Sequence, residues 1–441
     1  MTLLNYLLTS SVVLALLTLS ATCYAVVLGI YNIYFHPLRK YPGPRLWAAS
    51  ILPSLWYSTH GELVYKLTEL HERFGHVVRI APDEVAYIGQ EAQKDIYAFG
   101  GGSGPFTKSP DFYFSLGGAH SIVTTPSNGE HAKVRKIPSP SFSNKATNDQ
   151  EESIMKFTNL FIQRLHERVS QGPQDLSEWF NLITFDIIGD LAFGEPFESV
   201  DSGRYHPWVR TMTQNNIWSV LVGSAKRLPL LQPFLQRLIP QHLKEEMKQM
   251  ITYTKDKVAS RVPQGFMRDD FMGPLLRAGS FIAGSDTTAS LLSGLTYHLC
   301  QNPHVLDKLT AEVRLAFQSD KEINLTSVNS LTYTLAVLKE GLRLFPPASA
   351  GLPRRAPKGG ATIAGQWVPE GTRVHVSPWA SYRSSSRFYI PESFVPERWL
   401  GDSRFANDEL KIVTPFSIGP RNCIGMNLAY AEMRTILAKL V

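Results

Sequence analysis

Between Thr2 and Leu38 the chain carries no charged side chain, and Leu3 to Phe35 is dominated by leucine, valine, alanine, isoleucine and tyrosine. About 20 consecutive apolar residues suffice to cross a bilayer as a helix, because in lipid every backbone N–H and C=O must be satisfied within its own segment. One transmembrane anchor is therefore expected over residues 1–35. The run exceeds the ~7–15 residues of a signal-peptide core and has no basic region ahead of it. A cleaved signal sequence is the competing reading, but no convincing small-residue cleavage site stands before the basic cluster. Tyr31 and Tyr34 sit where an interfacial aromatic belt belongs, and Arg39, Lys40 and Arg45 follow at once. The excess of basic residues after the span places everything downstream in the cytosol, as a single-pass protein. Residues 36–45 read as a Pro/Gly-rich basic linker in which Pro42 and Pro44 oppose helix continuation and set the exit angle.

Downstream, the helical period dominates. Gly61 to Phe74, Glu151 to Val169, Trp179 to Phe193, His242 to Ser260, Asp286 to Gln301, Pro303 to Phe317, Leu331 to Leu344 and Met426 to Leu440 read as helices. Val77 to Gly89 reads as two short strands about a Pro-Asp turn, and Ala361 to Val376 as strand around Pro369-Glu370-Gly371. With no internal repeat and no further linker, residues 46–441 are expected to be one large domain, mainly α with a small β part. Lys+Arg 44 against Asp+Glu 38 leaves +6, far short of a nucleic-acid footprint over 441 residues. Gly100 to Gly104 is neither a phosphate loop, lacking Gly-Lys-Ser/Thr, nor a nucleophile elbow. Cys23, Cys300 and Cys423 are too few and too scattered for a disulfide framework or a zinc site, which points to a reducing compartment.

Chemistry concentrates in Phe416-Ser-Ile-Gly-Pro-Arg-Asn-Cys-Ile-Gly425, a glycine-punctuated loop that ends in one cysteine and runs into a helix. Gly419 and Gly425 permit tight turns and the approach of a flat ligand. Helix N-terminal N–H groups near Cys423 are expected to favour a thiolate, a soft ligand suited to iron. Arg421 is expected to meet a carboxylate bidentately. The bland reading is a buried free cysteine ahead of a helix.

This loop resembles the haem-binding loop of the cytochrome P-450 monooxygenases, and three further segments are similar to that family in the family's order. They are Ala283-Gly284-Ser285-Asp286-Thr287-Thr288, Glu340-Gly341-Leu342-Arg343, and Pro396-Glu397-Arg398-Trp399. The resemblance covers nearly the whole soluble part. It is closest to fungal microsomal members of secondary metabolism, including the isotrichodermin-hydroxylase type, through His36-Pro37-Leu38, Phe185 to Gly194, Tyr205 to Val209 and Gly359 to Ile363.

The resemblance implies the cytochrome P-450 fold and haem b bound axially by the Cys423 thiolate, with Phe416, Gly419 and Gly425 shaping the loop. It implies Arg421, Arg354, His131 and Arg135 as partners of the haem carboxylates, and Ala283 and Gly284 as the wall of an oxygen groove. Thr287, four residues after Ala283, is expected to bond that carbonyl, and Asp286 to relay protons; a solvent-exposed Asp286 and a plain surface His131 stand as the bland readings. Glu340, Arg343 and Arg398 are expected to form a structural charge network. Partners implied are O2, an apolar small molecule and an NADPH-dependent reductase docking near Lys133, Lys136 and Arg421, on the cytosolic side of the endoplasmic reticulum membrane. The product class implied is a hydroxylated or otherwise oxidised mycotoxin, terpenoid or polyketide intermediate. Two departures are expected to matter: a shortened approach to the oxygen helix around Arg268 to Phe271, Pro274 and Gly279, and an end at Val441, 18 residues beyond Cys423. The alternative is a truncated, catalytically impaired haem-binding relative.

Overall fold

The computed structural model describes residues 2–98, 104–114, 121–229, 231–237, 240–261 and 285–441. The uncharged N-terminal run is one helix, Thr2–Tyr34, of which Val12–Tyr34 is long and apolar enough to cross a membrane. It ends in a single turn over Pro37–Lys40, and the chain then lies extended across the sheet.

The helical core is built around Leu176–Phe193, a helix buried on almost every face from Trp179 onward. Asp175 caps its start by accepting from the N–H groups of Ser177 and Glu178, and Gly194 ends it in the left-handed conformation at φ 75°. A helix apolar all round must be enclosed, and this one is packed against Ser285–Gln301 and Glu151–Arg168. Met426–Leu440 and Thr332–Leu344 close the same core through Met433, Ile436, Leu437, Val337 and Leu338. Each fully buried Leu or Phe there contributes ~1.5–3 kcal/mol.

Among the described residues, seven short strands form two sheets: β1 (Val77–Ala81), β2 (Glu84–Tyr87), β3 (Thr107–Lys108), β4 (Arg354–Arg355), β5 (Ala361–Ile363), β6 (Gln366–Val368) and β7 (Arg373–Val376). The first sheet runs β1-β2-β7-β4-β3, antiparallel except for the β2–β7 pair. The β1–β2 hairpin turns at Pro82-Asp83, as its sequence predicts. The expectation for 361–376 needs correcting. The paired turn is Ala364-Gly365, between β5 and β6, whereas Pro369 to Gly371 carries the chain out of that hairpin into β7 of the other sheet. Helices that the periodicity reading did not name include Leu52–Thr59, Gln90–Tyr97 and Pro207–Lys226.

Candidate functional site

The cysteine loop leaves the core at Phe416, whose ring packs on Tyr430 at a centroid distance of 5.2 Å. Ser417 adopts φ 59° and Gly419 φ 75°, so the chain doubles back and the Cys423 N–H donates to the Phe416 carbonyl at 2.8 Å. A Cβ at Gly419 would strike the Tyr97 carbonyl, so what Gly419 approaches is the end of the Gln90–Tyr97 helix. Gly425 differs: its missing Cβ would meet only the Phe142 ring, at 3.9 Å, and its carbonyl accepts the first bond of the Met426–Leu440 helix, from Ala429.

Cys423 is solvent-accessible at the end of this turn, although protein surrounds it at longer range. That surrounding reverses the sequence expectation of a favoured thiolate. Burial pushes the thiol above its ordinary pKa, and the Gly425 N–H and the Arg135 guanidinium only partly offset it.

Beside the loop stands a group of cations, Lys108 and Arg354 buried and Arg135 and Arg421 half-buried. Arg135 donates to the Asn422 carbonyl at 2.6 Å and its side-chain oxygen at 2.7 Å, bracing the residue before Cys423. Arg421 donates to Asn128 Oδ1 (2.8 Å), Thr125 O (2.9 Å) and Pro126 O (2.8 Å), neutral acceptors rather than the expected carboxylate. Burial and Arg354 pull its pKa down to about 10. Arg354, on β4, donates to the Tyr113 hydroxyl at 2.9 Å. Lys108, on β3, is the direct cross-strand partner of Arg354 and donates to the carbonyls of Ile122 (3.0 Å) and Val123 (2.6 Å). Burial and the charges of Arg421, Arg354 and Arg135 lower the Lys108 pKa to about 7. His131 is buried, not the surface histidine of the bland reading. Burial, then Arg421, Lys108, Arg135 and Arg354, hold it down to about 3, so it is neutral at physiological pH and can serve an anion only as a hydrogen-bond donor. His131, Arg135 and Arg421 line a cavity of about 450 Å³ with Ala98, Asn128 and Pro420.

Like charges directly opposite on neighbouring strands are destabilising, and buried charge without a counter-ion costs several kcal/mol. The acceptors that Lys108, Arg135, Arg354 and Arg421 reach are carbonyls, an amide and a phenol, none of them charged. This donor set calls for a ligand with anionic groups. Lys108 was missed from sequence because nothing in Pro105 to Pro110 marks it; only the β3–β4 register brings it to Arg354.

Glu340, Arg343 and Arg398 are brought together with no side-chain exposure. Glu340 accepts from Arg343 Nε (2.9 Å) and Nη2 (2.7 Å), Arg398 Nε (3.4 Å), Trp399 Nε1 (2.9 Å) and the Val395 N–H (3.1 Å). Arg343 also donates to the carbonyls of Tyr382 and Pro391, and Arg398 pairs with Asp408. The Thr332–Leu344 helix is thus locked to the segment that leads into the cysteine loop.

The Ser285–Gln301 helix places Thr287 on an exposed face and Asp286 at partial exposure. Ala283 and Gly284 lie outside the described residues, and so does the 268–279 approach. Thr288 points inward and hydrogen-bonds Glu432, whose carboxyl burial pushes up to about 8. Sequence reading overlooked Glu432, though an acid on the apolar face beside Leu428, Met433 and Ile436 was a signal.

The family model for cytochrome P-450 matches residues 42–264 and 278–441, breaking where the sequence looked shortened. Monooxygenase astA of Talaromyces wortmannii is 39% identical over 448 residues, covering 98% of this chain and 90% of that protein. Monooxygenase atr2 of Stereocaulon alpinum is 41% identical, covering 97% and 88%. A trichothecene C-15 hydroxylase of Fusarium sporotrichioides is 39% identical, covering 95% and 89%. A helical fold with two small sheets, a cysteine turned out at a helix start and relatives of this kind define a haem-dependent monooxygenase. The chain belongs to the cytochrome P-450 family, whose fold the described residues follow. An accessible thiol next to the anion-seeking cluster suits an iron porphyrin with its two carboxylates.

Proposed function

We propose that this protein is a membrane-anchored haem-thiolate monooxygenase that hydroxylates or otherwise oxidises an apolar small molecule in fungal secondary metabolism. Residues 46–441 would be the catalytic domain, carried on the endoplasmic reticulum membrane by an anchor over residues 1–35 and the segment 36–45. The carrying observation is the Cys423 turn set beside the cations Lys108, Arg135, Arg354 and Arg421, whose hydrogen-bond acceptors among the described residues are all neutral. The bound haem supplies the oxygen-activating chemistry. Cys423 would ligate its iron, and Arg421, Arg354, Lys108 and Arg135 would hold its carboxylates, with His131 donating as a neutral imidazole. Phe416, Gly419 and Gly425 keep the loop in register with the helix that follows. Thr287 and Asp286 would carry protons to the oxygen site, which Ala283 and Gly284 would flank. The exposed Lys133 and Lys136, with Arg421 nearby, form a basic face suited to steering an acidic, NADPH-fed reductase. Similarity to a protein named as a trichothecene C-15 hydroxylase supports hydroxylation of a trichothecene-like apolar substrate.

The break in the family match at 265–277 favours a second reading, a haem-binding relative without turnover. One experiment separates them. The expressed protein is reduced under carbon monoxide, and NADPH-driven oxygenation is assayed with a reductase. The red-shifted band of thiolate-ligated haem together with product supports the first reading; the band without product supports the second. Cys423→Ala should abolish the band and Cys300→Ala should leave it. Loss of the band in Cys300→Ala would overturn the ligand assignment.

A further inference from the structure

Arg227 ends the Pro207–Lys226 helix, and its side chain, only 9% exposed, sits among three carboxylates. It reaches Glu84 Oε2 at 2.6 Å, Asp83 Oδ1 at 3.2 Å and Asp111 Oδ2 at 3.8 Å. Glu84 begins β2 and Asp83 precedes it in the β1–β2 turn, so one cation fastens a helix end to a sheet far from it in sequence. Two strand arginines share the same acids. Arg373 on β7 pairs with Glu84 at 2.9 Å and with Asp111, and Arg355 on β4 pairs with Asp83 at 2.9 Å and Asp111 at 3.2 Å. Burial alone would raise the Glu84 pKa, but Arg227 and Arg373 outweigh it and hold the carboxyl well below its ordinary value. Without Arg227, the buried Glu84 and Asp111 would be left with one cation fewer, in surroundings where unpaired charge is costly.

Asp111 belongs to the same short segment that builds the anion-seeking cluster. Neighbouring strand residues face opposite sides of a sheet, and on β4 Arg354 meets Tyr113 and Lys108 while Arg355 meets Ser109 and Asp111. The segment 108–113 divides in the same way. The Lys108 ammonium lies 4.9 Å from the centre of the Tyr113 ring, whereas Ser109 donates to Asp111. The Ser109 carbonyl accepts the N–H groups of Phe112 (3.1 Å) and Tyr113 (2.9 Å), closing the segment into one turn whose two sides move together. The Pro207–Lys226 helix rests directly on that turn. A Cβ at Gly223 would come within 3.1 Å of the Asp111 carbonyl oxygen, and the Lys226 ammonium lies 4.2 Å from the centre of the Phe114 ring.

We propose that Arg227 is a positioning residue for the haem carboxylates: through Asp111 it holds the turn carrying Lys108 and Tyr113 against Arg354, and the bound carboxylates in return hold the Pro207–Lys226 helix on the sheet. Linkage makes this coupling the same in both directions. It rests on the binding of haem carboxylates at Lys108 and Arg354 proposed above, and the probes keep the two apart. The full chain is stripped of haem and reloaded with haem or with haem dimethyl ester, whose esterified carboxylates carry no charge. The carbon-monoxide band reports thiolate ligation in each, transfer to an apoprotein acceptor reports release, and hydrogen–deuterium exchange is read over 207–226 with the Pro303–Ala316 helix as reference. Haem should slow exchange over 207–226 severalfold more than the ester does, with the reference helix alike in both. Arg227→Gln should release haem about fivefold faster or more, the low end of ordinary coupling between sites, and should make haem and ester protect 207–226 equally. Arg227→Lys, which keeps the charge, should recover most of the slow release. Asp111→Asn leaves Arg227 in place and should also erase the difference between haem and ester, so the outcome does not hang on one variant folding. Haem and ester leaving the unaltered chain at the same rate would sink the carboxylate site itself. Haem held longer than the ester, with equal exchange over 207–226, overturns the coupling, and so does unchanged haem release in Arg227→Gln or a surviving haem–ester difference in Asp111→Asn.

Discussion

Replacing Glu340 by Gln removes one negative charge from a site with no solvent exposure and leaves Arg343 and Arg398 with Asp408 as their remaining carboxylate. It also converts an acceptor of five donors into a group with one N–H2 end, so at least one donor faces another. Breaking a buried ion pair from one side costs about 3–5 kcal/mol, against the few tenths that an exposed i, i+3 pair contributes. A loss of that size is a large part of the ~5–15 kcal/mol that holds a typical protein folded. Urea unfolding followed by far-ultraviolet circular dichroism, with the carbon-monoxide band as a second probe, reads the change. The contrast is Glu69→Gln, which breaks the Lys66–Glu69 pair at 2.6 Å where Glu69 is 61% exposed, and should cost under about 1 kcal/mol. Glu340→Gln/Arg343→Met restores charge balance and should be less destabilised than the sum of its single variants, by ~1–3 kcal/mol of coupling. Glu340→Gln as mild as Glu69→Gln, or additive double-variant behaviour, would refute the argument that burial makes this pair strong.

Thr287→Ala should keep the carbon-monoxide band while NADPH oxidation outruns product and hydrogen peroxide accumulates; unchanged coupling defeats its role in proton delivery. Lys108→Met removes the cation opposite Arg354 and should release haem to an apoprotein acceptor about tenfold faster, since a charged hydrogen bond contributes roughly 1.5–3 kcal/mol; an unaltered rate separates Lys108 from the carboxylate site. His131 binds a proton only near pH 3 when folded, against 6.5 when free, so the unfolded chain takes up the proton first and stability falls as pH drops from about 6.5 to 3. In the haem-free protein, His131→Gln should flatten that part of the melting-temperature profile, and parallel curves would contradict the neutral-imidazole assignment.

Local rules read well where the signal is local. The apolar N-terminal helix, the β1–β2 hairpin and the Met426–Leu440 helix follow from hydropathy, turn chemistry and period, and structure and sequence agree on them. Helix ends shifted by one to three residues where caps decided them, as at Leu176, capped by Asp175, rather than Trp179. The Cys423 loop was visible as a motif, yet its thiol shifts the opposite way from the helix-dipole expectation, because burial is set by everything packed around it.

By itself, the chain's order of residues determined a membrane-length helix, a mainly helical domain and a lone cysteine at a helix start, since each depends on neighbours within a few turns. Tertiary structure alone decided which charges share a site. Lys108 meets Arg354 through strand register, Asp408 and Trp399 join Glu340, and Glu432 meets Thr288 across two helices. Coulomb and desolvation energies depend on separation and surroundings in space, and spacing along the chain carries neither.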